Sequence, residues 1–276
     1  MTSSNINNVL INFLESLDNA DVDYVIWKNI HVIEKSINGL FNLDIYIPSL
    51  KYKDFLEKAK SYNLIRAIHP VNNFPYIEHF YVLDKNLKIF HLHVYRKIIT
   101  GESILKEYIL PYDELIINNR KKHERYNIWV LNNEINTYIF AIRHILKGNS
   151  LLSRVLYSKE IKSYKLEWDS IQNKSKELLM KKPFIDNQFL ERSNLFSEKF
   201  DLPNILFAKK FRLKISKYLR YRNQIEVPYH RYKIFFKLLI NKYFIKRKKI
   251  LSKRALLIAF TGVDGSGKST MNKVIT

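Results

Sequence analysis

The chain has no cysteine, which removes disulfide frameworks and thiolate chemistry from consideration. No apolar run approaches the ~20 residues that a bilayer-spanning helix needs. Glu15 and Asp18 interrupt the N-terminal stretch in an amphipathic pattern unlike that of a secretory signal. The expectation is a cytoplasmic protein, either free or peripheral at the inner face of the membrane. Acidic residues are scarce: 26 Asp and Glu face 47 Lys and Arg, for a formal net charge of +21. The imbalance is uneven, because Lys209 to Arg254 holds seventeen basic residues and one acid, Glu226. An anionic partner fits such a stretch, either a membrane surface or a nucleic acid. No nucleic-acid-binding motif accompanies the charge, which leaves nucleic acid the weaker reading.

Glycine is also rare, and its placement is informative. Three of the six glycines lie within six positions, in Thr261-Gly262-Val263-Asp264-Gly265-Ser266-Gly267-Lys268-Ser269-Thr270. This stretch matches G-x-x-x-x-G-K-[ST] in full. Its glycines permit the backbone turns that aim successive N–H groups at phosphate oxygens. Lys268 is expected to reach the β/γ-phosphates of ATP, and Ser269 to hold Mg²⁺. The apolar run Ala255–Phe260 supplies the buried strand that such a loop follows. The chain ends at Thr276, so the expectation is the first strand and P-loop of a truncated α/β domain over 254–276.

Upstream, Ile6, Val9, Leu10, Phe13, Leu14 and Leu17 recur at helical spacing. Strand-like runs follow at Tyr24–Trp27, Leu43–Ile47, Leu64–Ile68, Ile77–Leu83 and Leu87–Tyr95, with a helix over Lys51–Tyr62. Asp84-Lys85-Asn86 reads as a hairpin turn. Tyr126–Leu131 is one more strand or a bridge. Residues 1–130 therefore read as an α+β module and 131–253 as a mainly α-helical region. That region begins with a helix carrying Ile135, Tyr138, Ile139, Ile142, Ile145 and Leu146, which stops at Gly148. Over Pro203–Arg222, Phe207, Phe211, Ile215 and Tyr218 fall on one stripe of a helical wheel. Lys209, Lys210, Arg212, Lys214, Lys217 and Arg220 fan over the other side. Such a helix either packs its aromatic stripe in the fold or lies on an anionic bilayer. Tyr232–Leu251 is as basic but shows no clean segregation, and reads as a packed or linking helix.

Two features of the α+β module could carry chemistry. Asn42 and Asp44 point to one face of a strand, and so do His91 and His93 on a later one. If these strands are neighbours, Asp44, His91 and His93 could hold Zn²⁺ or Mn²⁺, with Asn42 a weaker ligand. The alternative is a half-exposed sheet on which polar and core residues simply alternate.

The residues Tyr24-Val25-Ile26-Trp27-Lys28-Asn29, Gly39 with the strand Asn42–Ile47, and Phe90–Tyr95 with Gly101-Glu102 and Lys106 resemble a nucleotidyltransferase-like domain. Domains of this kind occur upstream of thymidylate-kinase-like domains in bacterial surface-polysaccharide gene products. The resemblance implies a degenerate member. Active relatives carry a Gly-Ser or Gly-Gly pair where this chain has Lys28-Asn29, and a first Asp where it has Asn42. One surviving carboxylate, Asp44, cannot neutralise two Mg²⁺. Phe260–Thr270 is similar to the start of thymidylate kinase, where Asp264 matches a position that contacts the acceptor nucleotide. This second resemblance implies ATP- and Mg²⁺-dependent phosphoryl transfer, with Gly262, Asp264, Gly265, Ser266, Gly267, Lys268, Ser269 and Thr270 as nucleotide-binding residues and Lys268 catalytic. The acceptor would be a nucleotide, a sugar or a glycolipid. A non-catalytic adaptor at a membrane surface is the alternative.

Overall fold

Asn8 starts the first helix with a side-chain oxygen that accepts from the backbone N–H groups of Leu10 and Ile11, satisfying two donors that a helix start leaves open. That helix, α1 (Val9–Asp18), buries Leu10, Phe13, Leu14 and Leu17, the stripe its spacing predicts. The computed structural model describes residues 8–251 apart from 70, 72, 87, 149 and 172–174. The P-loop residues Gly262, Asp264, Gly265, Ser266, Gly267, Lys268, Ser269 and Thr270, and the strand expected before them, lie outside the described residues.

The first half of the chain alternates strands and short helices: β1 (Val25–Ile26), α2 (Ile33–Ile37), β2 (Leu43–Tyr46), α3 (Tyr52–Ser61), β3 (Ile65–Ile68), β4 (Ile77–Leu83) and β5 (Ile89–Tyr95). There follow β6 (Ile98–Thr100), β7 (Tyr108–Leu110), α4 (Asp113–Asn118), β8 (Arg120–Lys122) and β9 (Trp129–Leu131). Helices then dominate, from α5 (Asn133–Lys147) and α6 (Leu151–Ser170) through α7 (Lys176–Met180), α8 (Asn187–Arg192) and α9 (Ile205–Lys214) to α10 (Glu226–Ile240). A two-residue strand, β10 (Ile250–Leu251), ends the described chain. The fold is mixed α+β, as the sequence predicts.

Eight strands form one sheet in the order β10-β3-β4-β5-β2-β1-β9-β8. The β2–β5 and β1–β9 pairs are parallel, and the other pairs are antiparallel. The hairpin at 84–86 is present, held by Asp84 Oδ1 accepting from the backbone of Asn86 (2.9 Å) and Lys88 (2.7 Å). Alternation along β5 sends Phe90, Leu92 and Val94 to one face and His91, His93 and Tyr95 to the other. The first set meets Phe13, Phe55 and Ala59 of α1 and α3 in one core. Against the opposite face, Trp27, Tyr46 and Tyr95 join α5, α8 and α9 in a second core. Every residue from Ile135 to Leu146 of α5 is buried, so this helix runs through the centre of that layer.

In the helical region one open reading is decided and another is overturned. Phe207, Phe211 and Ile215 are buried in the second core and Tyr218 packs partly against it, so the aromatic stripe of α9 is internal and cannot meet a bilayer. The stretch read as a packed or linking helix behaves in the opposite way. On α10 and the π-helical turn after it, Tyr229, Tyr232, Phe236, Ile240 and Tyr243 form an exposed stripe. Only Val227 and Arg231 of α10 are fully buried. Arg231 donates twice to the Glu102 carboxylate, at 2.6 Å each. Glu102 sits in the β6–β7 connection beside Gly101, whose φ is +117°. A Cβ at Gly101 would lie 2.3 Å from Glu107 Oε2, the atom that accepts from the Glu102 backbone N–H. Only glycine fits there.

Candidate functional site

Where the helical layer leaves the sheet face uncovered, a cavity of about 450 Å³ remains. Its floor is the β2–β5–β4 face, with Asp44, His93, His79 and Tyr95. Its walls come from Lys28 and Asn29 after β1, Lys106 before β7, Arg143 and Lys147 of α5, and Glu160 and Tyr164 of α6. Leu238 of α10 and Lys249 close the rim.

Asp44 organises the floor. Its carboxylate is almost wholly buried and faces Lys28 Nζ at 3.1 Å. It accepts from Asn29 Nδ2 at 2.6 Å and Asn42 Nδ2 at 3.2 Å, and meets His93 Nδ1 at 3.2 Å. Burial alone would raise its pKa, but Lys28, His93 and Asn29 together hold it far below the usual carboxylate range. An ionised carboxylate only accepts, so His93 Nδ1 carries the proton and Nε2 is left as a free lone pair. Asn29 reaches Asp44 from a left-handed backbone (φ 57°), a conformation that asparagine tolerates better than most residues. The Lys28-Asn29 pair is therefore the electrostatic partner of Asp44.

The cations divide into paired and unpaired. Arg143 is locked by two hydrogen bonds to Glu167, at 2.8 and 3.3 Å, and Lys147 pairs with Glu160 at 2.9 Å. Lys106 is different. It adopts left-handed backbone (φ 46°) and has no ion-pair partner among the described residues. Burial, then Lys28 and Lys147, push its pKa well below that of a free lysine. Burial likewise lowers Lys28, against the opposing pull of Asp44. Around the cavity stand five basic side chains and two acids, Asp44 and Glu160.

The histidines occupy the same floor. Cross-strand register places Asp44 opposite His93 and His93 opposite His79, in one row across three strands. His91 lies two residues before His93 on the same face. The sequence-predicted set of Asp44, His91 and His93 is thus brought onto one face, but the ligand-bearing group is His79, His91 and His93. Asp44 stands behind His93, and its lone pairs are taken by Lys28, Asn29 and Asn42. Burial, then His93 and Lys249, push His79 down to about 3 and His91 down to about 2. All three rings are neutral at neutral pH, since burial also lowers His93.

Sequence reasoning missed His79 and the cavity role of Lys106. A single histidine in β4 shows no pattern until the β4–β5 register is known, and an isolated loop lysine resembles any surface lysine. Comparison of the chain with protein-family profiles, curated proteins and solved structures finds no match.

Proposed function

We propose that the cavity binds a phosphate-bearing ligand, and that the chain serves an ATP-dependent phosphotransferase in which this module is the ligand-holding part. The observation that carries the binding reading is Lys106, a half-buried amine with no ion-pair partner among the described residues, at a cavity where basic groups outnumber acids. Its half-buried ammonium lies 5.3 Å from the centre of the Phe74 ring with no carboxylate partner among the described residues, and an anionic ligand would supply the missing charge. Nucleotidyl transfer by two Mg²⁺ is disfavoured, because among the described residues Asp44 is the one carboxylate on the floor and its oxygens are already engaged. ATP and Mg²⁺ would be bound separately, by Gly262–Thr270, with Lys268 neutralising the transferring phosphoryl group. A nucleotide, sugar phosphate or glycolipid phosphate is the ligand class for the cavity.

Calorimetry with pyrophosphate, a nucleoside diphosphate and a hexose phosphate tests the reading. At least one should bind, and Lys106→Met should weaken it tenfold or more while leaving the circular dichroism unchanged. Residues 1–276 should bind MgATP weakly or not at all, whereas in a chain extended by a completed P-loop domain MgATP binding should respond to Lys268→Ala and not to Lys106→Met. Absence of binding by every phosphate, or indifference to Lys106→Met, refutes the cavity assignment.

A second reading, a membrane-surface adaptor, is favoured by α10. Its exposed stripe of Tyr229, Tyr232, Phe236, Ile240 and Tyr243 is flanked by Lys233, Lys237 and Lys242. Aromatic burial plus about 1 kcal/mol per lysine suits an anionic bilayer. Salt-sensitive binding to anionic vesicles, absent with neutral ones and lost in Phe236→Ser/Tyr243→Ser, supports it; equal binding to both vesicle types, or none, rules it out. No helix among the described residues is long and apolar enough to cross a membrane.

A further inference from the structure

We propose that His79, His91 and His93 form a binding site for a divalent transition ion of the zinc class, with Asp44 orienting His93 from behind and a fourth coordination position open to the cavity. His79 Nδ1 and His91 Nε2 are 3.2 Å apart. Two imidazole nitrogens bound tetrahedrally to Zn²⁺ at 2.0–2.1 Å stand about 3.3 Å apart, so this pair already has the required spacing. The ligating atoms of all three rings lie within 4.8 Å of one another, a gap that modest side-chain rotation closes.

Three features fix the rings for this role. The Asp44–His93–His79 row is set by backbone ladders, which hold neighbouring strands at a constant distance. Tyr81 stacks on His91 with centroids 4.3 Å apart and planes 6° from parallel. Asp44 accepts the Nδ1 proton of His93 and leaves Nε2 as the nitrogen available to an ion, the arrangement in which an outer carboxylate orients a metal-bound imidazole. Without an ion, the close His79–His91 nitrogens share one proton in an N–H···N bond; an ion takes the place of that proton. His79 and His93 also line the cavity, so the remaining position of the ion faces the ligand space.

Imidazole selects the ion. An all-nitrogen set suits Zn²⁺, Co²⁺ or Cu²⁺ and is poor for Mg²⁺, which demands oxygen. One group opposes binding: Lys249 Nζ lies 3.5 Å from His79 Nδ1 and 3.1 Å from the Tyr81 hydroxyl. Its ammonium repels a dication, so removing it should tighten metal binding by up to about tenfold at low salt.

The experiment uses tag-free, metal-stripped protein titrated with Zn²⁺ and with Co²⁺ in excess Mg²⁺. One ion per chain should bind, and the Co²⁺ form should show the visible absorption of a low-coordinate nitrogen site. His91→Phe, which keeps the ring stacked on Tyr81, should abolish binding. Asp44→Asn should weaken it by about 10–100-fold. Lys249→Ala should strengthen it, and Lys106→Met should leave it unchanged, which separates metal binding from the anion pocket. X-ray absorption on the wild-type Zn²⁺ form supplies a readout that needs no variant: three imidazole nitrogens at about 2.0–2.1 Å are expected. Failure to bind Zn²⁺ or Co²⁺, a coordination shell with fewer than two imidazoles, or full binding by His91→Phe would overturn the site.

Discussion

Replacing Arg231 with methionine should release α10 from the body of the protein rather than unfold the whole. The Glu102 carboxylate is about 1% exposed and receives both Arg231 donors at 2.6 Å. Removing one partner of such a pair costs about 3–5 kcal/mol if the helix stays in place, because the carboxylate is left buried and unpaired. The alternative is for α10 to lift away and let water reach Glu102. That route gives up the burial of Val227, worth about 1.5–3 kcal/mol, together with the partial burial of Ile234, Phe235, Leu238 and Leu239. Loss of the pair therefore lowers the free energy of lifting by about 3–5 kcal/mol relative to the wild type. Hydrogen exchange should therefore show amides of 227–240 losing protection in Arg231→Met while those of α5 keep theirs. Glu102→Gln/Arg231→Met should restore much of it, since no charge is stranded. If α10 amides stay protected in the single variant, or if the double variant is no better than the single, the ion pair is not what holds this helix.

Two further outcomes follow from buried titrating groups. His144 donates from Nε2 to the Ser193 carbonyl (2.8 Å) and accepts from the Tyr157 hydroxyl at Nδ1 (2.6 Å), so it is neutral, and burial pushes it down to about 4. Below the ordinary value of 6.5 the unfolded chain takes up a proton that the native state refuses, so stability falls with pH between about 6.5 and 4, by ~3 kcal/mol in total. Urea titrations across this range should show a shallower pH slope in His144→Gln, and an unchanged slope refutes the assignment. Because burial depresses Lys106 and Lys28, a bound phosphate should raise both and draw protons from solution. Calorimetric enthalpies should then vary with the ionisation enthalpy of the buffer, and affinity should fall at alkaline pH; buffer-independent enthalpies would contradict this.

The legible parts of the chain were those set by local pattern. The Leu10–Leu17 stripe, the Asp84 turn, and the apolar run of α5 ending at Gly148 all follow from spacing and end signals within a few residues, whereas the cap at Asn8 was not picked out. Asp44 and the two β5 histidines were legible as one face each, because alternation fixes direction. Their meeting depended on β2 lying beside β5, which no local pattern states. His79 needed a second register, β4 on β5, and was invisible for that reason. The helices α9 and α10 show the same limit from another side. Both are basic and rich in aromatics, and a helical wheel ranks faces without showing which one meets a neighbour. Packing against α8 took the aromatic stripe of α9 inward, whereas α10 turned Arg231 in and its aromatics out.

The strand order also has a consequence for how the chain assembles as it is made. Ile26 pairs with Val130 in the parallel β1–β9 ladder, and Ile250 pairs with Ile68 where β10 meets β3. Pairings this distant in sequence are slow to form, because a long loop must close before any contact rewards it. On a ribosome adding ~5–20 residues per second, roughly 5–20 s separate the emergence of β1 from that of its partner β9. Throughout that interval one edge of β1 presents Val25 and Ile26 without the strand that later covers them, a surface open to other chains. Yield on expression should therefore depend on the rate of translation and on chaperone supply more than on the stability of the finished fold.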